Sequence, residues 1–302
     1  MDQWINAPEG FRSGHIVVVG RPNTGKSTLF NALVGEQLSI ATDKPQTTRK
    51  AILGIFTTPS AQMMFLDTPG LLDPAYRLQE LMRNEITGAI QGADVILCLA
   101  DASDLDRSFD GDVVKAISDH HIPLIVVLNK SDLISPDQAE RALKQIEQKT
   151  SATHTMAISA LKGQNIIELK ALLESVLPLG PRFYPEDTLT ELPERFFCEE
   201  FIREEIFNQL RQELPYAIAV QVETFEEERK KIYIRANIIV ERNSQKGIVI
   251  GQGGRTLKEI GKRARGRIEK FLQHAVFLDL HVKVIQNWRK KDAALRNLGY
   301  GP

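Results

Sequence analysis

Two glycine-rich stretches in this chain carry the residue types needed to hold phosphate. The first, GRPNTGKST, comprises Gly20, Arg21, Pro22, Asn23, Thr24, Gly25, Lys26, Ser27 and Thr28. It matches the pattern GxxxxGK[ST], in which backbone N–H groups and a helix N-terminus cradle phosphate oxygens. In that pattern Lys26 reaches the outer phosphates and the Ser27 hydroxyl binds Mg²⁺. The second stretch, Gly251, Gln252, Gly253 and Gly254, runs directly into the basic segment RTLKEIGKRARGRIEKF. One nucleotide needs only one cradle, so the second loop calls for a ligand of its own.

Three further motifs surround the first loop in sequence order. DTPG, residues Asp67, Thr68, Pro69 and Gly70, ends an apolar run, so Asp67 can act on the metal and the Gly70 N–H can meet a terminal phosphate. NKSD, residues Asn129, Lys130, Ser131 and Asp132, ends another. The Asp132 carboxylate can accept hydrogen bonds from guanine N1–H and the 2-amino group, whereas adenine offers an acceptor at N1 and no 2-amino donor; an unpaired polar contact of that kind is heavily penalised, which favours GTP over ATP. SAL, residues Ser159, Ala160 and Leu161, can aim the Ala160 N–H at guanine O6. Between the first helix and the DTPG strand lies KPQTTRK, where a threonine can sense the terminal phosphate through Mg²⁺; Thr48 is preferred, with Thr47 the alternative. Lys26, Thr48, Asp67 and Gly70 form the expected catalytic set.

The elements that must position these groups are legible as alternating runs. HIVVVG, QMMFLD, DVILCLAD, PLIVVLNK and HTMAIS read as buried strands separated by helix-length amphipathic stretches, the pattern of an α/β sheet with helices on both faces. Pro178, Gly180, Pro181, Pro185 and Pro193 then interrupt any periodicity. The expected division is residues 1–180 as a first domain, 181–193 as a linker and 194–302 as a smaller α+β domain with a C-terminal tail. Beyond the linker the order is α-β-β-α-α-β: a helix over RFFCEEFIREEIFNQL, strands at AIAVQVETF and KIYIRANIIVE joined by a charged EEERK turn, two helices around GQGG, and a strand at VFLDLHVKVIQ.

The net charge of −1 hides an asymmetry. Residues 181–241 hold 14 acidic and 8 basic side chains, and residues 242–270 hold 2 acidic and 9 basic. A focused basic stripe of this kind attracts phosphate backbones. Helical spacing makes Arg255, Lys258 and Lys262 the first candidates for nucleic-acid contact, with Ile248 and Ile250 as groove residues. Cys98 and Cys198 are too few for a disulfide framework and read as packed thiols, and Trp288 reads as packed within its own domain. No run reaches the roughly 18 to 20 apolar residues of a membrane span, and MDQWINAPEG lacks the features of a signal peptide. A monomer in the reducing cytoplasm is expected.

GRPNTGKST, PQTTR, DTPGL and NKSD resemble the translation-factor-related branch of Ras-like P-loop GTPases. Leu71 stands where Ras-type enzymes carry a glutamine that orients the attacking water, so the resemblance implies slow intrinsic turnover. In relatives with a hydrophobic residue there, an asparagine at the position of Asn23 helps bind K⁺; Asn23 is either such a ligand or a loop hydrogen-bonding residue. GQGG in its α-β-β-α-α-β setting resembles a type II KH domain, whose GXXG loop admits a nucleic-acid backbone while a groove reads about four bases. The combination, with the tail NWRKKDAALRNLGY, is similar to the bacterial Era family over nearly the entire chain. That resemblance implies a GTPase, using GTP/GDP and Mg²⁺, that binds the 3′ end of small-subunit (16S) ribosomal RNA and assists small-subunit assembly, with peripheral inner-membrane association known in the family. The competing readings are a GTPase of the same branch acting on a different RNA, as in tRNA modification, and an RNA-binding module with a regulatory nucleotide site.

Overall fold

The computed structural model describes residues 7–42, 44–109, 111–118, 121–210, 214–227 and 230–301. Met1 to Asn6 of the opening stretch, and Glu228 and Arg229 of the charged turn, lie outside the described residues. By their contacts the residues form two compact units, Met1–Asp73 with Met82–Glu191, and Pro74–Leu81 with Leu192–Pro302.

The first unit contains β1 (Arg12–Gly20), α1 (Lys26–Val34), β2 (Ile52–Thr57), β3 (Ala61–Asp67), most of α2 (Arg77–Gln91), β4 (Val95–Asp101), α3 (Leu105–Ser108), α4 (Gly111–Ser118), β5 (Leu124–Asn129), α5 (Pro136–Lys149), β6 (His154–Ala157) and α6 (Ile166–Val176). Its sheet runs β2-β3-β1-β4-β5-β6, parallel throughout except for β2, which pairs antiparallel with β3. Ile16, Val17, Val18 and Val19 have no exposed surface, as expected for a central strand covered on both faces. Because β1 pairs with β3 on one side and β4 on the other, its C-terminal end is the point where the chain's winding reverses, the place where open α/β sheets bind ligands. The five expected strands are present. β2 is additional: ILGIFT was not among the strand runs read from the sequence, and its Gly54 lets α1 lie close, since a Cβ there would sit 2.6 Å from Phe30 and Val34 carbons.

The second unit contains α7 (Glu194–Gln209), β7 (Ala219–Glu227), β8 (Ile232–Val240), α8 (Asn243–Ile250), α9 (Arg255–Leu272), β9 (Val276–Val284) and α10 (Asp292–Asn297). Its sheet runs β7-β8-β9, with β7 and β8 antiparallel and β8 and β9 parallel. Glu226 and Glu227 continue β7 instead of belonging to the expected turn. α9 buries Ile260, Ala264 and Ile268, one stripe at i, i+4 and i+8, and leaves its cations on the other faces. Phe271 of α9 packs on Phe197 and Phe201 of α7, with ring centroids 5.1 and 5.3 Å apart. Arg267 pairs with Glu204, closing the same two helices on each other. Pro74–Leu81 is held in this unit by Arg77 Nε donating to Asp292 Oδ1 at 2.7 Å and by the Arg289 guanidinium 4.8 Å from the Tyr76 ring.

Both cysteines are buried, and burial pushes each thiol up to about 12, so they pack without reacting. Trp288 is fully buried and donates its indole N–H to the Ala217 carbonyl at 2.9 Å. Trp288→Ala should therefore remove about 3–5 kcal/mol from the stability of the second unit. Urea denaturation of the full chain followed by far-UV circular dichroism checks this; an unchanged profile would show that the indole contributes little.

Candidate nucleotide and nucleic-acid sites

The first glycine loop follows β1 and leads into α1, so its N–H groups lie at a helix N-terminus that favours anions. Asn23 and Gly25 take φ of 67° and 94°. The glycines are also demanded by their surroundings. A Cβ at Gly20 would lie 2.7 Å from the Leu99 carbonyl oxygen, one at Gly70 would lie 2.7 Å from Pro22 Cγ, and one at Gly25 would strike Asn129 Nδ2. A cavity there is bordered by Pro22, Asn23, Gly25, Lys26, Ser27 and Thr28 from the loop, by Thr47 and Thr48, and by Gly70.

Lys26 is buried and donates to the carbonyls of Gly20 at 3.1 Å and Arg21 at 2.9 Å. Burial brings its pKa down to about 8, against the pull of the Asp67 charge. Asp67 ends β3 with no exposed surface, and burial raises its pKa against the hydrogen bonds it accepts. Its Oδ2 accepts from Ser39 Oγ at 2.6 Å, Ser27 Oγ at 2.8 Å and Thr48 Oγ1 at 3.2 Å, while Oδ1 is buried without a hydrogen-bond partner among the described residues. Ser27 and Thr48 hydroxyls are 3.0 Å apart. Of the two threonines read from the sequence, Thr48 joins this cluster and Thr47 lines the cavity. Thr68 Oγ1 donates to the Val18 carbonyl at 2.7 Å, fixing DTPG on β1. Leu71 is nearly buried in the hydrophobic core; its N–H donates to the Gly20 carbonyl at 3.1 Å and its carbonyl accepts from Arg21 at 3.0 Å.

At the base-recognition motifs, Asn129 is buried and joins the loops: Nδ2 donates to the Thr24 carbonyl at 2.8 Å and Oδ1 accepts the Ala160 N–H at 3.0 Å. That N–H, which the sequence aims at guanine O6, is thus used between loops, because the buried Asn129 oxygen requires a donor. Lys130, at φ 64°, pairs with Asp101 at 2.6 Å, and the Lys130 bond helps hold the Asp101 carboxyl below its usual range although burial opposes it. Asp132 stands exposed in the three-residue turn Ser131–Leu133, Ser159 is buried, and Leu161 is 77% exposed.

Ser39, Asn31 and Asp101 were not singled out from the sequence. Asn31 lies one helical turn beyond Ser27; its Oδ1 accepts from the N–H groups of Leu38 and Ser39 and its Nδ2 donates to the Ser39 carbonyl, which sets the Ser39 hydroxyl on Asp67. No sequence spacing announces that clamp. Asp101 was visible only as the last residue of a strand parallel to the one that Lys130 follows.

In the second unit, Gly251, Gly253 and Gly254 all have positive φ. A Cβ at Gly251 would strike Thr256, whereas nothing lies within 4 Å of one built at Gly253 or Gly254, so this side of the loop is open. A groove beside it is lined by Gly254, Leu257, Lys258, Gly261, Lys262, Arg265, Phe277, Leu278 and Leu280. Lys258 and Lys262 line this groove, and Arg265 joins them at i+7 from Lys258. Arg255 and Gln252 are exposed, Ile248 is 55% exposed outside the groove, and Ile250 lines an adjoining recess with Lys246 and Leu257. Arg263 bonds Glu259 at 2.7 Å and Arg267 is taken by Glu204, so those two cations serve the helix and its packing.

A family described as 50S ribosome-binding GTPase matches residues 15–130, and one described as KH domain matches residues 213–289. GTPase Era of Carboxydothermus hydrogenoformans is 41% identical over 292 residues, covering 96% of this chain and 98% of that one. GTPase Era of Lacticaseibacillus paracasei is 43% identical over 289 residues, covering 95% and 96%. Among solved structures, Era in complex with MgGDPNP and nucleotides 1506–1542 of 16S ribosomal RNA superposes with a TM-score of 0.91 at 37% identity, covering 97% of this chain and 100% of that one. An Aquifex aeolicus Era variant bound to GDP and AlF4⁻ gives 0.91 at 36% identity with the same coverage. A P-loop unit built around Asp67 and a KH unit built around GQGG, alike to these proteins from end to end, mean that the chain belongs to the Era family of GTPases.

Proposed function

We propose that this chain is a GTP-hydrolysing switch that binds the 3′ end of small-subunit ribosomal RNA and assists assembly of the small ribosomal subunit. The observation that carries this reading is the presence in one chain of two separate phosphate-accepting loops, each backed by its own recognition surface. The likeness to an Era solved with both a GTP analogue and 16S ribosomal RNA supports it.

At the first site, Asp132 selects guanine and Lys26 meets the outer phosphates, whose negative charge favours its ammonium form. The residues fit Mg²⁺: the unpartnered buried Asp67 Oδ1 and the converging Ser27 and Thr48 hydroxyls form a hard oxygen donor set. Bound there, the ion would neutralise charge on the phosphates. Ser39 keeps Oδ2 occupied and thereby orients Oδ1. Hydrolysis transfers the terminal phosphoryl group to water and leaves GDP. Leu71, apolar and packed in the core, cannot orient that water. In this reading Asn23, at positive φ on the cavity wall, is the candidate K⁺ ligand. The terminal phosphate acts on the segment around residues 40 to 50 and on that following Gly70. Pro74–Leu81, part of the latter, clusters with the second unit, where Arg77 pairs with Asp292. The working unit is a cytoplasmic monomer, with membrane contact limited to peripheral association; no described helix is long and apolar enough to cross a membrane.

Gly253→Asp should weaken binding of a short RNA matching the 3′ end of 16S ribosomal RNA by at least about tenfold, through a carboxylate facing phosphate. GDP affinity should be unchanged, and equal RNA binding by both proteins in fluorescence titration would locate the partner site elsewhere. Ser39→Ala, removing a hydrogen bond to a charged group, should raise the Mg²⁺ concentration needed to retain a fluorescent GDP analogue by about tenfold. An unaltered Mg²⁺ midpoint would leave Ser39 as packing alone. Asn23→Ala should abolish any preference of GTP turnover for K⁺ over Na⁺, and a preference that survives the substitution rules the K⁺ assignment out.

A further inference from the structure

Tyr233 and Phe277 are cross-strand partners in parallel register on β8 and β9, and their rings stack 5.5 Å apart at an interplanar angle of 10°. Ile232, Ile234 and Ala236 alternate with them as buried residues, so the pair occupies the opposite, open face of the sheet. Phe277 is 50% exposed, much as Phe183 of the first unit is at 47%, so exposure alone says little. Its setting is more unusual than its exposure. β9 is an edge strand, so Tyr233 covers one face of the Phe277 ring and no further strand covers the other. The Lys231 ammonium lies 5.4 Å from the Phe277 centroid and the Arg235 guanidinium 5.8 Å from that of Tyr233. Of the neighbouring carboxylates, Asp279 is already engaged by Arg235 at 3.1 Å and His281 at 3.0 Å, which limits its repulsion of an incoming anion, and Glu226, the partner of Tyr233 on β7, lies on the side away from Phe277.

Phe277 also borders the groove that Lys258, Lys262 and Arg265 line. The helix carrying those cations advances about 16 Å from Gly254 to Arg265. A single strand following it from the glycine loop arrives where β9 begins, with its next base beside the aromatic pair. Aromatic rings interleaved with cations are the platform on which unpaired bases stack, and each such stack commonly changes affinity by about tenfold or more.

We propose that Phe277, backed by Tyr233, is a stacking subsite for one nucleobase of single-stranded RNA lying beyond the bases held in the GXXG groove. The proposal rests on the RNA reading of that groove and adds a base contact outside it. An apolar protein segment would gain nothing from the flanking Lys231 and Arg235, so the charge favours RNA as the occupant. A cross-strand aromatic pair also stabilises a sheet, and the test must separate the two roles.

The full-length protein is titrated with a four-nucleotide RNA matching the groove and with two longer RNAs extended by three nucleotides at the 5′ or the 3′ side. Phe277→Ala should weaken one extended RNA by about tenfold more than it weakens the four-nucleotide RNA, and Phe277→Trp should rescue that difference. Replacing the contacted base by an abasic residue should weaken the wild type equally and have no further effect on Phe277→Ala. Equal weakening of short and long RNAs, a loss that Phe277→Trp fails to rescue, or no loss with either extension would overturn the subsite. Gly253→Asp separates the two readings: if it leaves every RNA bound, the groove assignment fails, whereas binding of both extended RNAs that depends on Gly253 and ignores Phe277 defeats the subsite alone.

Discussion

A single carboxylate organises the nucleotide half of this chain. Asp67 is fully buried at the end of β3, and three hydroxyls from three separate segments converge on one of its oxygens. Burying a carboxylate is expensive unless it is hydrogen-bonded, so the positions of Ser27, Ser39 and Thr48 are mutually fixed by the need to satisfy it. Its second oxygen has no partner among the described residues, which is unusual for a buried polar atom and consistent with a site built for a cation. The phosphate loop, the segment leading to the threonines and the DTPG turn thus answer to one electrostatic requirement.

The two glycine loops meet the same ligand chemistry by different means. In the first, Gly20, Gly25 and Gly70 are hemmed in by protein atoms, so a side chain would displace Leu99, Asn129 or Pro22 before it met any phosphate. In the second, Gly253 and Gly254 face open space and are glycine because their backbone has positive φ and because bulk there would stand in front of a ligand. The first loop is a rigid cradle for a small polyphosphate, held by its own packing. The second is an exposed ledge, suited to a chain that passes over it.

Motif order and strand alternation made the first unit's layout readable because phosphate chemistry places its residues at strand ends. β2 escaped because ILGIFT is short, contains Gly54 and follows directly on the segment carrying Thr48. The Asn31–Ser39–Asp67 chain escaped for a different reason: it joins a helix, a loop and a strand through hydrogen bonds that leave no periodic trace. In α9 the sequence showed a basic stripe but not its division of labour. Lys258 and Lys262 were accessible to helical spacing, whereas the fates of Arg263 and Arg267 depend on Glu259 and Glu204, and only the fold determines whether those carboxylates are near. Ala160 shows the same limit, since its N–H serves a buried Asn129 that the sequence could not place against it.

Leu71 bears on how such a switch keeps time. Its side chain is in the hydrophobic core and both of its backbone polar groups are bonded to the phosphate loop, so this residue is committed to holding DTPG against Gly20 and Arg21. A residue so committed is unavailable for water positioning, and replacing it by a polar group would bury an amide in an apolar cluster. The fold therefore trades a built-in hydrolytic group for a firmly held turn. Where no side chain of this turn positions the water, the lifetime of the GTP-bound form is set by whatever does, and an RNA partner that influences the segment after Gly70 would act on that step.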